Sequence, residues 1–418
     1  MANERIVVGI DAGTTKVTTL IAEIGRNHSV HVIGFGVAPC KGLKRGVVVD
    51  MDATVEAIDA SVEKAERVSG YKIDSAFIGI AGGHITSLTN SGVISITRSD
   101  RTITEEDVGR AIDAARVINL TNNREIIHTI PRHFTIDGQE GVRNPIGMLG
   151  YRVDVEAHIV TGAVTSIQNL IKCFELSDID VDQVVLEPLA AAEAVVSDEE
   201  KNMGVALVDI GGDITEIALF SEGSICHTAV INVGGNHITN DISVRLRAPH
   251  AEADELKISH SHAVSHDIAP TEMIDVATFG RGNVRSVPRI QICEVAEARL
   301  QELFLLVAEE IQSAGYDGLL PAGIVIIGGT AQLSGIEELG SEVTGLSVRR
   351  GTPRGVHGLV DALGDPAYAT AVGLAMWGAR HGEGTLSTWP AARGADRTYS
   401  DGHHVGGRFL GWLRAILP

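Results

Sequence analysis

The chain contains two stretches in which a short apolar run, a glycine-rich turn and a second apolar run follow one another. They are IVVGIDAGTTKVTTLIAEI at residues 6–24 and GVALVDIGGDITEIALFSEG at residues 204–223. Apolar runs of strand length on both sides of a short turn predict a β-hairpin. Aligning Asp11 with Asp209 also aligns the glycine two residues later and both flanking runs. A repeat at such long separation predicts two similar half-molecules.

The segments that follow each hairpin alternate between helical and strand patterns. Residues 53–70 have apolar positions at helical spacing and end in glycine, and residues 72–85 have the pattern of a buried strand. In the second half, residues 296–312 predict a long amphipathic helix, and residues 322–339 predict a strand followed by a turn. This alternation predicts an α/β fold in which helices cover the faces of the sheets.

The region between the halves has a different pattern. ITEEDVGRAIDAARVI predicts one helix with Thr104 as its N-cap, and short β-like runs surround it. This composition predicts a small α+β subdomain inserted in the first half. After residue 380, glycine, serine, threonine and charged residues without an apolar period predict a flexible linker. The predicted segments are the start of the first half (1–83), the insert (84–162), the completion of the first half (163–198), the second half (199–380), the linker (381–404) and an amphipathic helix (405–418).

Composition narrows the classes of function. Lysine and arginine number 34 and aspartate plus glutamate 54, so the formal net charge is −20. Such a chain is a poor general binder of nucleic acid, because phosphate neutralisation needs clustered cations. The four cysteines are scattered without the close pairing of zinc or redox sites. Without a signal-peptide pattern or an apolar run of about 20 residues, we expect a protein of the cytosol or of the cytosolic face of a membrane.

The two hairpin turns are candidate phosphate clamps. Glycine lets backbone amides approach phosphate oxygens closely, Thr14 and Thr15 add hydroxyl donors, and Lys16 can supply positive charge. Asp11 and Asp209, one in each half, can hold a magnesium ion through water. Either turn alone is more often only a hairpin, so the hypothesis depends on the pair.

Two further segments bring polar groups to the ends of predicted strands. Glu187 follows a buried strand and can orient a water molecule or approach a metal, or it can instead complement the start of the helix that Pro188 opens. Gly328 and Gly329 also follow a buried strand, and there an adenine or ribose can lie against the backbone near Thr330.

The ordered motifs DAGTTK, LEPLAAA, VDIGGDITE and IVIIGGTAQLSG resemble those of the actin, Hsp70 and sugar-kinase superfamily. Within it, the chain is similar to the FtsA family, actin homologues of bacterial cell division. The stretches that carry this similarity are RGVVVDMDATVEAI, TITEEDVGRAIDAARVI, HTIPRHFTIDGQEGVRNPIGMLG, ADELKISHSHA and AYATAVGLAMWG. The resemblance implies an actin-like two-domain ATPase fold with duplicated halves and a family-specific subdomain at the insert.

The same resemblance implies that ATP and Mg²⁺ bind between the halves. The residues that match its nucleotide-binding positions are Gly13, Thr14, Thr15 and Lys16 on one side, Gly211 and Gly212 on the other, then Gly234 and Gly235 before a helix, with Glu255 and Lys257 at ribose and adenine contacts. Glu187 matches the acidic position near the attacking water.

One turn departs from the superfamily pattern. Asp213 and Ile214 stand where a third glycine and a threonine are usual, and Glu216 replaces a common aspartate. A carboxylate beside a terminal phosphate repels it unless a metal intervenes, so we predict slow or negligible hydrolysis, with ATP mainly a structural or assembly-setting ligand. The alternative functions are a phosphotransferase of the same superfamily, for which only Glu187 is a candidate base, and a chaperone-like ATPase, which needs a separate peptide-binding domain.

Arginines spaced four apart form a candidate docking patch in the second half. Arg281, Arg285 and Arg289 resemble the basic stretch with which the family meets the tubulin homologue FtsZ, although a solvated surface loop fits the pattern equally well. Nearby, SHSHAVSH carries three histidines without a carboxylate or cysteine to complete a metal site, which favours a solvated or hydrogen-bonded cluster.

Residues 405–418 predict a short amphipathic helix. At about 100° per residue the apolar positions share one side of the helical wheel and the arginines lie on the other. A helix packed on its own domain is one interpretation, but the polar linker favours a helix in the membrane interface, strengthened by self-association into filaments. The residues expected to meet an anionic membrane surface are Phe409, Leu410, Trp412, Leu413, Ile416, Leu417, Arg408 and Arg414. Together with the resemblance, this predicts a peripheral protein on the cytoplasmic side of the bacterial inner membrane, tethering FtsZ at the division site.

Overall fold

Both predicted hairpins are present, and the first opens the fold. The computed structural model describes residues 5–25, 29–279, 284–359 and 363–381. The elements before the insert are β1 (Arg5–Ala12), β2 (Lys16–Ile24), β3 (Val30–Pro39), the short strands β4 (Leu43–Lys44) and β5 (Val47–Val48), α1 (Met51–Ser69) and β6 (Ser75–Ile80).

The insert and the end of the first half follow directly. The insert contains β7 (Thr86–Ser95), α2 (Glu105–Ala115), β8 (Arg124–Ile136), β9 (Gln139–Val142) and β10 (Arg152–Ala163). The chain then returns to the first half with α3 (Val164–Leu176), β11 (Asp180–Leu186), α4 (Glu187–Val195) and α5 (Asp198–Met203).

The second half begins with the second hairpin. Its elements are β12 (Val205–Ile210), β13 (Thr215–Ser221), β14 (Ser224–Ile231), α6 (Gly235–Leu246), α7 (His250–His260), β15 (Met273–Ala277), β16 (Val284–Pro288), α8 (Ile290–Ser313), β17 (Ile324–Ile327), α9 (Ile336–Thr344) and β18 (Val348–Arg350). The last described elements are β19 (Val356–Gly358) and α10 (Ala369–His381).

The two central sheets have the same strand order. The first is β11-β6-β1-β2-β3, extended by β19, and the second is β18-β17-β12-β13-β14. In both sheets the hairpin strands and the third strand are antiparallel, and the last two strands run parallel to the first. The prediction of an α/β fold with duplicated halves is therefore confirmed.

The insert has its own sheet and its own core. Its strand order is β7-β10-β8-β9, and α2 packs against one face. Thr104 caps α2 in a capping box with Asp107, as a threonine followed three residues later by an acid favours. Phe134, Ile112 and Val153 are almost fully buried in a cluster separate from the cores of the two halves. This α+β subdomain is the one that the sequence predicted.

Two helices cross where the halves meet. α4 follows the last strand of the first sheet, and α10 comes after the second sheet in the sequence. α10 packs against both the first sheet and α4. A Cβ atom built on Gly373 of α10 would lie 2.0 Å from the carbonyl oxygen of Ala190 in α4. Only a residue without a side chain allows this approach. Among the residues that the structure describes, no helix is long and apolar enough to cross a membrane.

Candidate functional site

The two glycine turns face each other between the halves. Each turn closes with a backbone hydrogen bond of 3.0 Å, from Gly13 N to Lys16 O in the first half and from Gly211 N to Ile214 O in the second. A Cβ atom built on Gly212 would lie 2.7 Å from Cγ2 of Thr15. The structure thus brings the two predicted phosphate clamps into direct contact, although 198 positions separate Gly13 from Gly211.

Two aspartates lie at the floor of this cleft, at the carboxyl ends of β1 and β12. Burial, with the nearby charge of Asp209, raises the pKa of Asp11 from 3.8 to about 7. Burial also raises the pKa of Asp209 to about 6, although Thr370 Oγ1 donates a hydrogen bond to its Oδ2 at 3.3 Å. Two buried carboxylates that repel each other gain from a shared cation, so the pair fits a hydrated Mg²⁺.

Two glutamates extend the acidic cluster. Burial and the surrounding carboxylates raise the pKa values of Glu187 and Glu216 well above their usual range. Within the described residues, Oε1 of Glu216 has no hydrogen-bond partner, while the backbone N–H of Gly82 donates to the carboxylate. Among all the described residues, no three His, Cys, Asp or Glu side chains are arranged to hold a metal ion directly. A metal held through water needs fewer protein ligands.

The predicted phosphate-binding cation, Lys16, lies next to this acidic cluster. Nζ of Lys16 lies 3.9 Å from the centroid of the Tyr368 ring, and burial lowers the pKa of Lys16. The charges of Asp11, Asp365 and Asp209 oppose that shift. The ammonium group is therefore held between an aromatic face and the acidic floor, where it can attract a phosphate.

The start of α6 joins the second clamp. Gly235 N donates to Gly211 O at 2.9 Å, and Thr330 Oγ1 donates to the same oxygen at 3.2 Å. Gly234 immediately precedes this helix, and Asn236 N donates to Gly212 O at 2.7 Å, so the first amides of α6 hold the second clamp in place. The structure thus unites three segments that the sequence analysis treated separately.

The remaining predicted contacts are less uniform. Gly328 directly follows β17 and lies beside Asp209, and the space next to Gly329 is open, as a bound ring requires. Lys257 is half-buried and Nζ donates to Thr239 Oγ1 at 2.8 Å. Glu255 is exposed on α7.

Asp213 has partners that the sequence did not reveal. Its Oδ2 accepts from the backbone N of Arg45 at 3.1 Å, and its Oδ1 accepts from Nδ2 of Asn236 at 2.8 Å. Sequence reasoning assigned no role to Arg45, Asn236 or Tyr368, although the family-like stretches RGVVVDMDATVEAI and AYATAVGLAMWG contain Arg45 and Tyr368. The position of Asn236, directly after the double glycine that starts α6, was a signal that could have found it.

The arginines of the predicted docking patch do not share one environment. Arg289 Nε donates to His260 O at 2.7 Å, and its Nη1 pairs with Glu272 at 2.9 Å, so this side chain is used within the second half. Arg285 is exposed on β16, and Arg281 lies outside the described residues. The eight membrane-facing residues predicted within 405–418 also lie outside them.

Comparisons with known sequences agree with this architecture. The sequence model of "Cell division protein FtsA" matches residues 206–373, and that of "SHS2 domain inserted in FTSA" matches residues 82–161. Proteins named Cell division protein FtsA are 42% identical in Pseudomonas aeruginosa, 35% in Bacillus subtilis and 33% in Escherichia coli K12. These matches cover 90%, 91% and 90% of this chain and 89%, 85% and 91% of the relatives.

Solved structures with the same fold are more distant in sequence. The chain resembles a chain of the PilM–PilN type IV pilus biogenesis complex with a TM-score of 0.66 at 15% identity, covering 89% of this chain and 98% of that one. It resembles MreB5 of Spiroplasma citri bound to ADP with a TM-score of 0.54 at 15% identity, covering 88% and 94%. These likenesses show the fold, and the full-length sequence relatives show the family. The chain belongs to the FtsA family of cell-division proteins, with an actin-like α/β fold that carries the SHS2 insertion.

Proposed function

We propose that this chain binds ATP with Mg²⁺ between its halves, assembles into filaments, and tethers FtsZ to the cytoplasmic face of the bacterial cell membrane during division. The observation that carries the proposal is the pair of glycine turns in contact across the cleft, in a chain of a cell-division family. ATP acts mainly as a structural or assembly-setting ligand.

Several contacts support nucleotide binding. Both glycine turns and Lys16 converge on one cleft, where the hydroxyl groups of Thr14 and Thr15 provide donors and Lys16 provides a cation for phosphate, and the start of α6 holds the second turn in place. The open space beside Gly329 suits a ring. Two structural neighbours, MreB5 of Spiroplasma citri with ADP and with AMPPNP, are named with a bound adenine nucleotide or analogue.

The acidic floor supports a cation and slow hydrolysis. Asp11 and Asp209 would hold Mg²⁺ through water, and the metal would neutralise phosphate charge. The alternative of a phosphotransferase depends on Glu187 as its base, and the carboxylate of Asp213 beside the second clamp disfavours the terminal phosphate that such a reaction transfers.

The proposed segments divide the work. The halves (1–83 with 163–198, and 199–380) bind nucleotide, the insert (84–162) and Arg285 offer partner surfaces, and the linker (381–404) lets residues 405–418 reach the membrane. A single short helix binds lipid weakly, so filament assembly would strengthen attachment through multivalency.

Sedimentation with anionic liposomes tests the membrane part. We expect the full chain to bind more tightly as protein concentration rises, and a chain lacking residues 405–418 to stay in the supernatant. Leu413→Glu, which places a charge on the apolar side, should weaken binding strongly, whereas Ala415→Ser on the polar side should not. Equal binding by the truncated chain would refute membrane attachment through this segment.

Calorimetric titration with ATP tests the nucleotide part independently of lipid. Binding that needs Mg²⁺ and is accompanied by little release of phosphate is the expected result. Turnover at about 1 to 100 per second, the usual range of kinases, would favour the phosphotransferase instead.

A further inference from the structure

The carboxylate of Asp213 connects the two halves at the mouth of the cleft. It lies in the second half, and its Oδ2 accepts a hydrogen bond of 3.1 Å from the backbone N of Arg45 in the first half. Its Oδ1 accepts from Nδ2 of Asn236 at 2.8 Å, which fixes the orientation of the carboxylate. Both oxygens are therefore engaged, one of them across the cleft.

The donor from the first half is held rigidly. Arg45 and Gly46 form the two-residue turn between β4 and β5, with positive φ values of 52° and 74°. Positive φ at both central residues characterises a type I′ hairpin, in which the N–H of the first turn residue does not bond across the hairpin. Val49 N and Asp50 N both donate to Gly42 O, which closes the base of the hairpin. The N–H of Arg45 is thus presented to Asp213 by a fixed turn.

The carboxylate also lies where phosphate would bind. Gly212, the preceding residue, contacts Thr15 of the opposite clamp. An anion bound by both clamps would come close to the Asp213 carboxylate, and two like charges at contact distance repel strongly when partly shielded from water. A longer phosphate chain would meet this carboxylate more directly than a shorter one.

We propose that Asp213 is a latch that joins the halves when no terminal phosphate is present, so that it favours a nucleoside diphosphate over a triphosphate. This inference rests on the proposed nucleotide binding. A triphosphate displaces the carboxylate and breaks its contact with Arg45, whereas a diphosphate leaves that contact intact. The contact between the two halves therefore depends on whether a diphosphate or a triphosphate is bound.

The test compares Asp213→Asn and Asp213→Gly with the wild-type chain. Asparagine keeps an oxygen that can accept from Arg45 N but removes the charge, and glycine removes both. Calorimetric titration with ATP and with ADP, each with Mg²⁺, should show the affinity for ATP rising about tenfold relative to ADP in both variants. Asp317→Asn, an exposed position with the same change in net charge, should leave the ratio unchanged.

Hydrogen exchange of the nucleotide-free protein provides the second measurement. Amides of residues 43–48 should exchange about tenfold faster in Asp213→Gly than in the wild type, and asparagine should retain most of the protection. An unchanged ATP-to-ADP ratio, or unchanged exchange in Asp213→Gly, overturns the latch. If the wild-type chain binds neither nucleotide, the proposed function itself is wrong, and the discrimination by Asp213 is wrong with it.

Discussion

The two halves share a sheet but not the chemistry of their first turn. Both place an aspartate at the end of the first strand, a glycine two residues later, and an antiparallel second strand. At the position of Lys16 the second half has Ile214, which is buried, and at that of Thr15 it has Asp213. Strand order depends on the buried runs and on the backbone of the turn, so the side chains of the turn are free to diverge.

The same divergence occurs within the strands at the cleft. Asp11 pairs across the hairpin with Thr18, whereas Asp209 pairs with Glu216. The first half therefore supplies a cation and hydroxyl groups, and the second supplies extra carboxylates. The duplicated fold thus forms an asymmetric cleft. The side of the first half attracts phosphate, and the carboxylates of the second half repel it.

The halves also carry their additions at different places. In the first half the insert follows the fourth strand, β6, and in the second half α6 to β16 follow the third strand, β14. A helix follows the fifth strand of each half, α4 directly after β11 and α10 after the short strand β19, and these two helices contact each other. The crossing therefore joins helices that come from corresponding places in the two halves.

Breaking that crossing should have the largest effect. Gly373→Ala places a methyl group 2.0 Å from the backbone oxygen of Ala190, which cannot move without shifting α4. We expect a loss of about 3 kcal/mol or more in the free energy of unfolding, measured by denaturant titration. The nearest atoms to a Cβ built on Gly340 belong to the ring of Phe304 rather than to backbone, at 2.8 Å or more, so the cost of Gly340→Ala should be smaller. Equal midpoints for wild type and Gly373→Ala would contradict the prediction.

Removing the cation of the first clamp tests the asymmetry directly. Lys16→Met keeps an unbranched side chain of similar length but removes the charged group that lies over the Tyr368 ring. ATP affinity should fall about 50-fold, or about 2 to 3 kcal/mol, because a charge-assisted contact with phosphate is lost. Titration calorimetry measures this, with the exposed Lys44→Met as control. A loss of less than about twofold would show that Lys16 does not face the ligand.

We expect a fall in pH to destabilise the half that carries the insert. Burial, with the charge of His381, lowers the pKa of His128 from 6.5 to about 4, and burial lowers that of His158 to about 3. Nε2 of His128 accepts from Leu186 N at 3.0 Å, which requires the neutral ring. Because the folded-state pKa values lie below the unfolded value, the unfolded chain binds more protons as pH falls from 6.5 towards 4, and stability decreases.

We expect each histidine to contribute a loss of about 2 kcal/mol between pH 7 and pH 5. Denaturant midpoints across this range measure the effect. His128→Gln, whose amide oxygen can accept from Leu186 N without titrating, should make the pH profile shallower. A profile as steep as that of the wild type would exclude His128 as a source of the acid sensitivity.

The smallest expected effect is a difference in stability between variants of two arginines in the second half. Arg289→Ala loses the pair with Glu272 and the bond to His260 O, and should lower stability by about 1 kcal/mol. Arg285→Ala, exposed on β16, should change stability by less than about 0.5 kcal/mol. Thermal denaturation measures both. If only Arg285→Ala weakens sedimentation with FtsZ filaments, the partner surface is assigned to the exposed residue.

The sequence by itself determined the elements and their repetition. Both hairpins, the cap of α2 at Thr104 and the end of α1 at Gly70, which adopts a left-handed conformation, follow from patterns within a few residues. The insert was predictable because its alternation of short strands and one helix differs from that of the halves. Local spacing and backbone preference carry this information without any contact between distant segments.

Only the tertiary structure decided how the cleft is joined. Arg45 and Asp213 are 168 residues apart, Asp209 and Thr370 are 161 apart, and Lys16 meets Tyr368 from the opposite end of the described chain. Nothing in the local pattern around Arg45 marks its backbone N–H as a donor to a carboxylate. The raised pKa values of the aspartates likewise come from burial between the halves, since a carboxylate loses its water only when both sheets are packed together.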